Sequence, residues 1–242
     1  MRLALHKGET HADVAMSYGA LAAVYKRKQR YKEAEEHYRK AFEIFRNLAG
    51  SNDKRTQRVK KNLNEVRQLL ATQCDNAAKA CLKKQDAKQA LVHYQEALQR
   101  RKAIHGEQPH ASMATSLNNL GRIYKKQAQY NKALAYYGQA LNMHLALHKG
   151  EAHPDVAMSY GSIGAALKNQ EAYAKAEAYL HKSFEMFERC GKADSKASQI
   201  VKQHLDEVRK TLIVLSVVYF NALHTFTTNS TPRYTAQDEK RE

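Results

Sequence analysis

The chain has 242 residues, 43% of them hydrophobic, which suffices for a packed core and excludes a largely disordered protein. It contains only 3 prolines and 10 glycines among many helix-forming residues, so the composition predicts an all-α fold. A net charge of +16 favours an acidic partner, whether peptide, nucleic acid or anionic lipid, without choosing among them.

The sequence contains a large internal duplication. Residues 3–70 align without a gap on residues 145–212, and about half of the aligned positions are identical. A shorter unit recurs inside each copy, and residues 117–141 show it best, as two helical patterns separated by a short turn. Its pattern positions are Leu117, Leu120, Gly121, Tyr124, Tyr130, Ala133, Tyr137 and Ala140.

This order of leucine, glycine, tyrosine and alanine resembles the tetratricopeptide repeat signature, and a unit of about 43 residues is similar to the repeats of kinesin light chains. The resemblance implies a right-handed superhelical solenoid of antiparallel helix hairpins. In chain order the predicted units are a partial repeat (1–10), hairpin one (11–50), hairpin two with an elongated first helix (51–105), hairpin three (106–148), hairpin four (149–191), a C-terminal helix from a partial fifth repeat (192–224) and a disordered tail (225–242).

The second hairpin is spaced more widely than the others. Val59, Leu63, Val66 and Leu70 lead into Cys74 in unbroken helical steps, which predicts one helix over roughly 54–84. A break near Gln73 is the alternative. In the links before hairpins one, three and four, the sequence predicts helix N-caps and glycine helix ends. The predicted caps are Asp13, Ser112 and Asp155, with Pro154 at a helix start, and the predicted helix ends are Gly8, Gly106 and Gly150.

Two segments bear on the compartment. The longest apolar run, residues 212–220, is about half of the roughly 20 residues needed to cross a membrane, so it predicts a buried helix and no membrane partner. The N-terminus lacks a signal-peptide layout. Cys74, Cys81 and Cys190 fit no metal spacing and are interpreted as reduced core residues of a cytoplasmic protein.

The resemblance further implies that the first helix of each hairpin lines a concave face that binds an extended peptide. Every hairpin places at least one cation near the end of that helix, so a segment rich in Asp and Glu is the expected ligand. Alternatively, these cations only complement the helix dipoles and stay solvated. The predicted peptide-binding residues are Lys26, Arg27, Lys79, Lys83, Thr115, Asn118, Arg122, Lys125, Lys126, Lys168 and Asn169.

No phosphate loop or nucleophile elbow is found, so a non-enzymatic interaction scaffold without cofactor is predicted. RNA or another polyanion on the same basic surface is the alternative ligand, although the repeat length argues against helical-repeat RNA readers. Self-association through the ends of the array is left open. Histidine pairs recur in the links at a spacing that fits no zinc pattern, so turn residues near a helix start are expected and no metal. The pairs are His6 with His11, His105 with His110, and His148 with His153.

Overall fold

The computed structural model describes residues 11–230, with side chains as far as residue 222. This part of the chain is entirely helical, without a strand. The helices are α1 (Ala12–Arg27), α2 (Tyr31–Ala49), α3 (Lys54–Lys83), α4 (Ala87–His105), α5 (Ala111–Lys126), α6 (Tyr130–Leu147), α7 (Pro154–Asn169), α8 (Tyr173–Arg189) and α9 (Lys196–Ser230). The prediction of an all-α helical repeat is confirmed; the repeat length, the unit boundaries and the superhelical handedness stay predictions.

Four helix hairpins share one turn geometry. Three residues separate α1 from α2, and the middle one, Gln29, lies in the left-handed region with φ 57°. The next amide, of Arg30, donates to the Tyr25 carbonyl at 3.0 Å and so closes the end of α1. The corresponding residues in the turns after α3, α5 and α7 repeat the conformation; they are Gln85, Ala128 and Glu171.

The chain divides into two compact units, residues 1–147 and residues 148–242. In the first unit, α3 connects two cores. Its first half packs Val59, Leu63 and Val66 against α1 and α2, and Ala78 in its second half belongs to a core with α4, α5 and α6. The helix runs from Lys54 to Lys83 without a break, as the hydrophobic pattern predicts.

Small residues allow close packing within hairpins, as the sequence pattern suggests. A Cβ on Gly121 of α5 would lie 2.6 Å from Cε1 of Tyr137, and a Cβ on Gly164 of α7 would lie 2.7 Å from Cγ of Leu180. Ala22, at the matching position of α1, is fully buried. A larger residue at Gly121 or Gly164 therefore requires the facing Tyr137 or Leu180 to shift.

The predicted helix caps are wrong by two residues. The side chains of His11, His110 and His153 are the N-caps, and each accepts a hydrogen bond from the backbone N–H two residues later. The capped amides belong to the residues that the sequence pattern selected, because a ring nitrogen can replace the usual hydroxyl or carboxylate acceptor. The second histidine of each pair is thus a residue at a helix start, as predicted, whereas His105 is the last residue of α4 and His148 follows the end of α6. Pro154 lies at the start of α7, as predicted.

Gly106 ends α4 as predicted, with φ 61°, whereas Gly150, with φ 77°, lies three residues after the last residue of α6. Gly8, His6 and the predicted N-terminal stub lie outside the described residues. α9 continues to Ser230, so residues 225–230 of the predicted disordered tail are helical, and residues 231–242 of that tail lie outside the described residues. No helix among the described residues is long and apolar enough to cross a membrane.

In the second unit, α9 begins as α3 does. Val201, Leu205 and Val208 are buried and lie 142 residues after Val59, Leu63 and Val66. The prediction of a buried helix for residues 212–220 is wrong for the single chain: they are helical, but residues 213–220 are exposed. The sequence pattern misled because a run without charges usually marks a core.

Candidate peptide-binding site

A basic cleft of about 350 Å³ lies between the ends of α3 and α5. Lys79 and Lys83 line it from α3, and Arg122 and Lys126 line it from α5. All four of these side chains are exposed. We call this site the α3–α5 cleft; it brings together four of the predicted peptide-binding cations within the first unit.

Helix geometry explains the arrangement of the charges. Each helix contributes two cations four residues apart, and residues at that spacing lie on one face, about 6 Å from each other. Leu82 and Ile123 line the same cleft as the cations. Ile123 is 1% exposed, so the core of the repeat forms part of the floor. The cleft therefore combines an apolar floor with positively charged sides.

Two buried tyrosines lie near the arginine of this cleft. Burial raises the pKa of the Tyr137 phenol to about 12, and the positive charge of Arg122 opposes the rise. Burial likewise raises the pKa of Tyr94, again against the Arg122 charge. Tyr94 and Tyr137 are 0% and 3% exposed, so their rings belong to the core and not to the surface of the cleft.

Three other predicted residues lie on α5. Thr115 is exposed and its Oγ1 donates to the Ala111 carbonyl at 3.0 Å, so the hydroxyl is already used within its helix. Asn118 is partly buried, and its Oδ1 has no hydrogen-bond partner among the described residues. Lys125 is partly buried in the last turn. None of the three lines the α3–α5 cleft.

The remaining predicted residues are divided between the two units. Lys26 of α1 forms an ion pair with Glu65 of α3, with Nζ 2.6 Å from Oε2, whereas Arg27 is exposed. Lys168 and Asn169 end α7 in the second unit. The structure thus uses Lys26 to hold α1 against α3, a role that the sequence pattern did not indicate.

The ion pair of Lys168 repeats that of Lys26. Lys168 Nζ lies 2.6 Å from Oε2 of Glu207 on α9, which is 142 residues after Glu65. Hydrogen bonds from Lys168 and Gln203 lower the pKa of Glu207 to about 2. A second duplicated pair joins Arg67 to Glu35, and its copy joins Arg209 to Glu177. Both copies thus attach the fourth turn of a long helix to the hairpin before it.

Sequence reasoning missed a buried ion pair beside the cleft. Arg101 of α4 donates to both carboxylate oxygens of Asp75 on α3 and to the hydroxyl of Ser116 on α5. The side chains of Arg101 and Asp75 are only 5% and 16% exposed. The repeat alignment could have revealed the pair, because hairpins one and four have a glycine in place of Asp75 and a phenylalanine in place of Arg101. These pairs are Gly19 with Phe45 and Gly161 with Phe187.

Two groups of side chains within the described part of the chain have the composition of a metal site. Cys74, His93 and Glu96 have ligand atoms within 4.8 Å of one another. Burial, followed by the charge of Glu96, raises the pKa of the Cys74 thiol to about 11, and Arg100 holds Glu96 at 2.8 Å. Because a thiol binds metal as thiolate, this group is poorly prepared for a cation.

The other group of three is His148, His153 and Asp155, with ligand atoms within 4.8 Å. Here Nδ1 of His153 accepts the amide of Asp155 at 3.2 Å, and its ring stacks on His148 with centroids 3.4 Å apart. Stacked rings direct their nitrogen lone pairs in parallel rather than at one point, so neither group supports a metal proposal.

Comparison with solved structures finds similar proteins of low sequence identity. One is BtubC (BKLC) from P. vanneervenii, with 24% identity over 75% of this chain and 66% of that chain and a TM-score of 0.43. Another is a putative kinesin light chain from P. anserina, described as having nearly identical TPR-like repeats, with 14% identity, 93% and 99% coverage and a TM-score of 0.47. A third is the N-terminal domain of stress-induced protein-1 from C. elegans, with 18% identity, 57% and 96% coverage and a TM-score of 0.43.

No curated protein sequence matches the chain. The tetratricopeptide repeat profile matches it over residues 3–57, 68–146 and 112–189, which together include most of its length. Repeats of this kind stack helix hairpins into surfaces that hold other proteins, and they are generally non-catalytic. The chain belongs to the tetratricopeptide repeat family.

Proposed function

We propose that this protein is a non-enzymatic adaptor that binds an extended acidic segment of another protein in the α3–α5 cleft. The observation that carries the proposal is the grouping of Lys79, Lys83, Arg122 and Lys126 around one exposed cleft with an apolar floor. Arg27 and Lys125 are proposed to extend the basic surface.

The spacing of the cations suggests the form of the ligand. Successive cations on one helix are about 6 Å apart, and alternate residues of an extended peptide are separated by nearly the same distance, about 6.6 Å. An acidic residue at every second position therefore matches one row of cations. The intervening side chains point the other way, so an apolar residue among them can contact Leu82 and Ile123.

The energetics favour several weak contacts over one strong contact. An exposed ion pair contributes about 0–1 kcal/mol, so four cations together provide a few kcal/mol at most, and the contribution falls as salt is added. Burial of apolar peptide atoms on the cleft floor supplies the rest at about 25 cal/mol per Å². We therefore expect micromolar rather than nanomolar affinity for a short peptide.

The other predicted residues have weaker support. Lys26 and Lys168 would need to leave Glu65 and Glu207 to reach a ligand. Thr115 and Asn118 are proposed to contact only a peptide that extends up α5 beyond the cleft, and Asn169 is proposed to contact a peptide bound to the second unit. The free thiols of all three cysteines fit the cytoplasmic location that the adaptor proposal assumes.

RNA is the second candidate ligand, and the observation in its favour is the net charge of +16. Single-stranded RNA binds best where exposed aromatic rings lie beside the cations. Tyr94 and Tyr137, the two tyrosines whose pKa values the Arg122 charge lowers, are buried in the core. The cleft therefore favours the acidic peptide.

The test is titration of a fluorescent peptide with alternating Asp and apolar residues against the wild-type chain and two charge-matched variants. The first variant, Arg122→Glu with Lys126→Glu, alters the cleft. The second, Lys88→Glu with Lys102→Glu, alters two exposed cations on α4, a helix that does not line the cleft. Both lower the net charge from +16 to +12. We expect about 30-fold weaker binding for the first variant, from about 1 kcal/mol for each reversal, and less than about threefold for the control.

Equal losses in the two variants would show that only the overall charge matters and would refute the cleft. A single-stranded RNA of the same length is titrated in parallel at several salt concentrations. Tighter binding of RNA than of the peptide, with a steep salt slope and no dependence on peptide sequence, would replace the adaptor proposal with the polyanion one.

A further inference from the structure

The second half of α9 exposes a large uncharged surface. Seven apolar side chains between positions 213 and 220 are 48–68% exposed. We call this segment, residues 213–220, the apolar end of α9. These side chains are Ile213, Val214, Leu215, Val217, Val218, Tyr219 and Phe220. A helix that is apolar on all sides is typical of one that other helices cover.

The internal duplication shows what happens at the same positions in the first copy. Residues 71–78 of α3 lie 142 residues before residues 213–220 and follow an equivalent buried half-helix. There, Ala71 and Ala78 are fully buried, and Ala78 packs in a core with Ala90 and Tyr94 of α4. The fold therefore continues the surface of this long helix into contact with another helix, and the apolar end of α9 has the position for such a contact.

The absence of charge on this segment favours a second copy of the chain as the covering partner. The chain carries +16, so two copies repel each other over most of their surfaces. Residues 211–229 contain no Lys, Arg, Asp or Glu. Two copies can approach along this segment without bringing like charges together, whereas a highly charged partner would find no group with which to pair.

The exposed area reaches the range of a stable dimer. Taking about 150 Å² for each large apolar side chain when fully exposed, the seven exposed fractions give roughly 600 Å² on one copy. Monomers rarely leave more than a few hundred Å² of contiguous apolar surface uncovered. Complete cover of both surfaces would bury about 1,200 Å², which is the lower limit for specific protein interfaces.

We propose that the protein forms a closed dimer in which the apolar end of α9 packs against the same segment of a second copy. Because one segment supplies both sides of the contact, the interface is isologous and stops at two copies. The dimer holds two adaptor surfaces together, but its formation depends on α9 alone and not on the proposed peptide binding.

Sedimentation velocity of the full chain from about 1 to 100 μM tests the dimer. We expect a species of twice the 27.5 kDa chain mass at the upper concentrations. Val217→Asp with Tyr219→Asp is expected to weaken dimerisation at least 100-fold, because buried carboxylates would face each other across the interface. Val92→Asp, which places a charge at a valine 53% exposed on α4, is the control and is expected to leave the dimer unchanged.

The substituted positions are exposed in the single chain, so both variants are expected to keep the wild-type circular dichroism and melting cooperativity. A wild-type chain that stays monomeric at 100 μM refutes the dimer, and so does growth beyond two copies. Co-sedimentation with anionic phosphatidylserine vesicles, lost in the α9 variant while the protein in solution stays monomeric, would assign the segment to a lipid surface instead.

Discussion

Replacing Arg101 with phenylalanine removes the cation of a buried ion pair and keeps a side chain that the fold already accepts at two equivalent positions. Asp75 then loses both hydrogen bonds from the guanidinium while its side chain remains only 16% exposed. Ser116 is less affected, because its hydroxyl also donates to the Ser112 carbonyl at 3.2 Å. The cost is therefore concentrated on one uncompensated carboxylate.

Breaking a buried pair by removing one partner costs about 3–5 kcal/mol, and the residual exposure of Asp75 places this case near 3 kcal/mol. For a chain of this size, each kcal/mol lowers the melting temperature by about 2–4 °C. We expect Arg101→Phe to melt about 9 °C below the wild type in scanning calorimetry. Urea unfolding followed by circular dichroism should show the same loss in the free energy of unfolding.

The repeats supply the matched control. Asp75→Ala combined with Arg101→Phe imitates the pairing of Gly19 with Phe45, and the space around Gly19 is open enough for a Cβ. Because the double variant has no buried charge, we expect it to recover at least about 2 kcal/mol relative to Arg101→Phe. A double variant no more stable than the single one, or a single variant within about 1 kcal/mol of the wild type, would refute the assigned role of the pair.

Three further perturbations follow from the packing and the charges. Gly121→Ala places a Cβ 2.6 Å from a tyrosine ring and should cost about 1–3 kcal/mol in urea unfolding, whereas Gly19→Ala, in open space, should gain up to about 1 kcal/mol; the reverse order would contradict the packing. Glu207 has its pKa lowered from 4.5 to about 2, so its stabilising contribution is complete above about pH 4.5 and is lost as the pH falls to 2. Glu207→Gln should flatten the stability profile across that window, and a carboxyl titration by NMR near 4.5 would exclude the lysine contact. Cys74, whose pKa is about 11, should be the last of the three cysteines to react with Ellman's reagent at pH 8, and equal rates would contradict its burial.

Much of the fold was predictable because, in a helix hairpin, the spacing of apolar and small residues along the sequence determines which side chains pack together. The pattern from Val59 to Leu70 predicted a continuous α3, and Gly121 predicted a close helix contact. The histidine caps were not predicted, because the usual statistics of helix starts favour Asp and Ser, and the structure uses a ring nitrogen two residues earlier.

The accuracy of the site prediction depended on whether the cations at a helix end form ion pairs with a neighbouring helix. The cations at the ends of α3 and α5 lie around one cleft, whereas Lys26, at the same kind of position in α1, pairs with Glu65. That acidic partner lies 39 residues away in sequence, on a helix whose neighbour is fixed only by tertiary packing. Local periodicity gives the face on which a side chain lies but not the charge that the next helix brings to it.

The two long helices, α3 and α9, share a similar first half and differ in their second half. α3 and α9 have the same anchoring half, from Val59 to Leu70 and from Val201 to Leu212, and then continue into unrelated sequences. A helix rises 1.5 Å for each residue, so the 18 residues after Leu212 extend about 27 Å in a direction that the anchored half has already set. The position after Leu70 or Leu212 is therefore a place where one helical segment can be exchanged for another, because the anchored half sets the direction of whatever helix follows it.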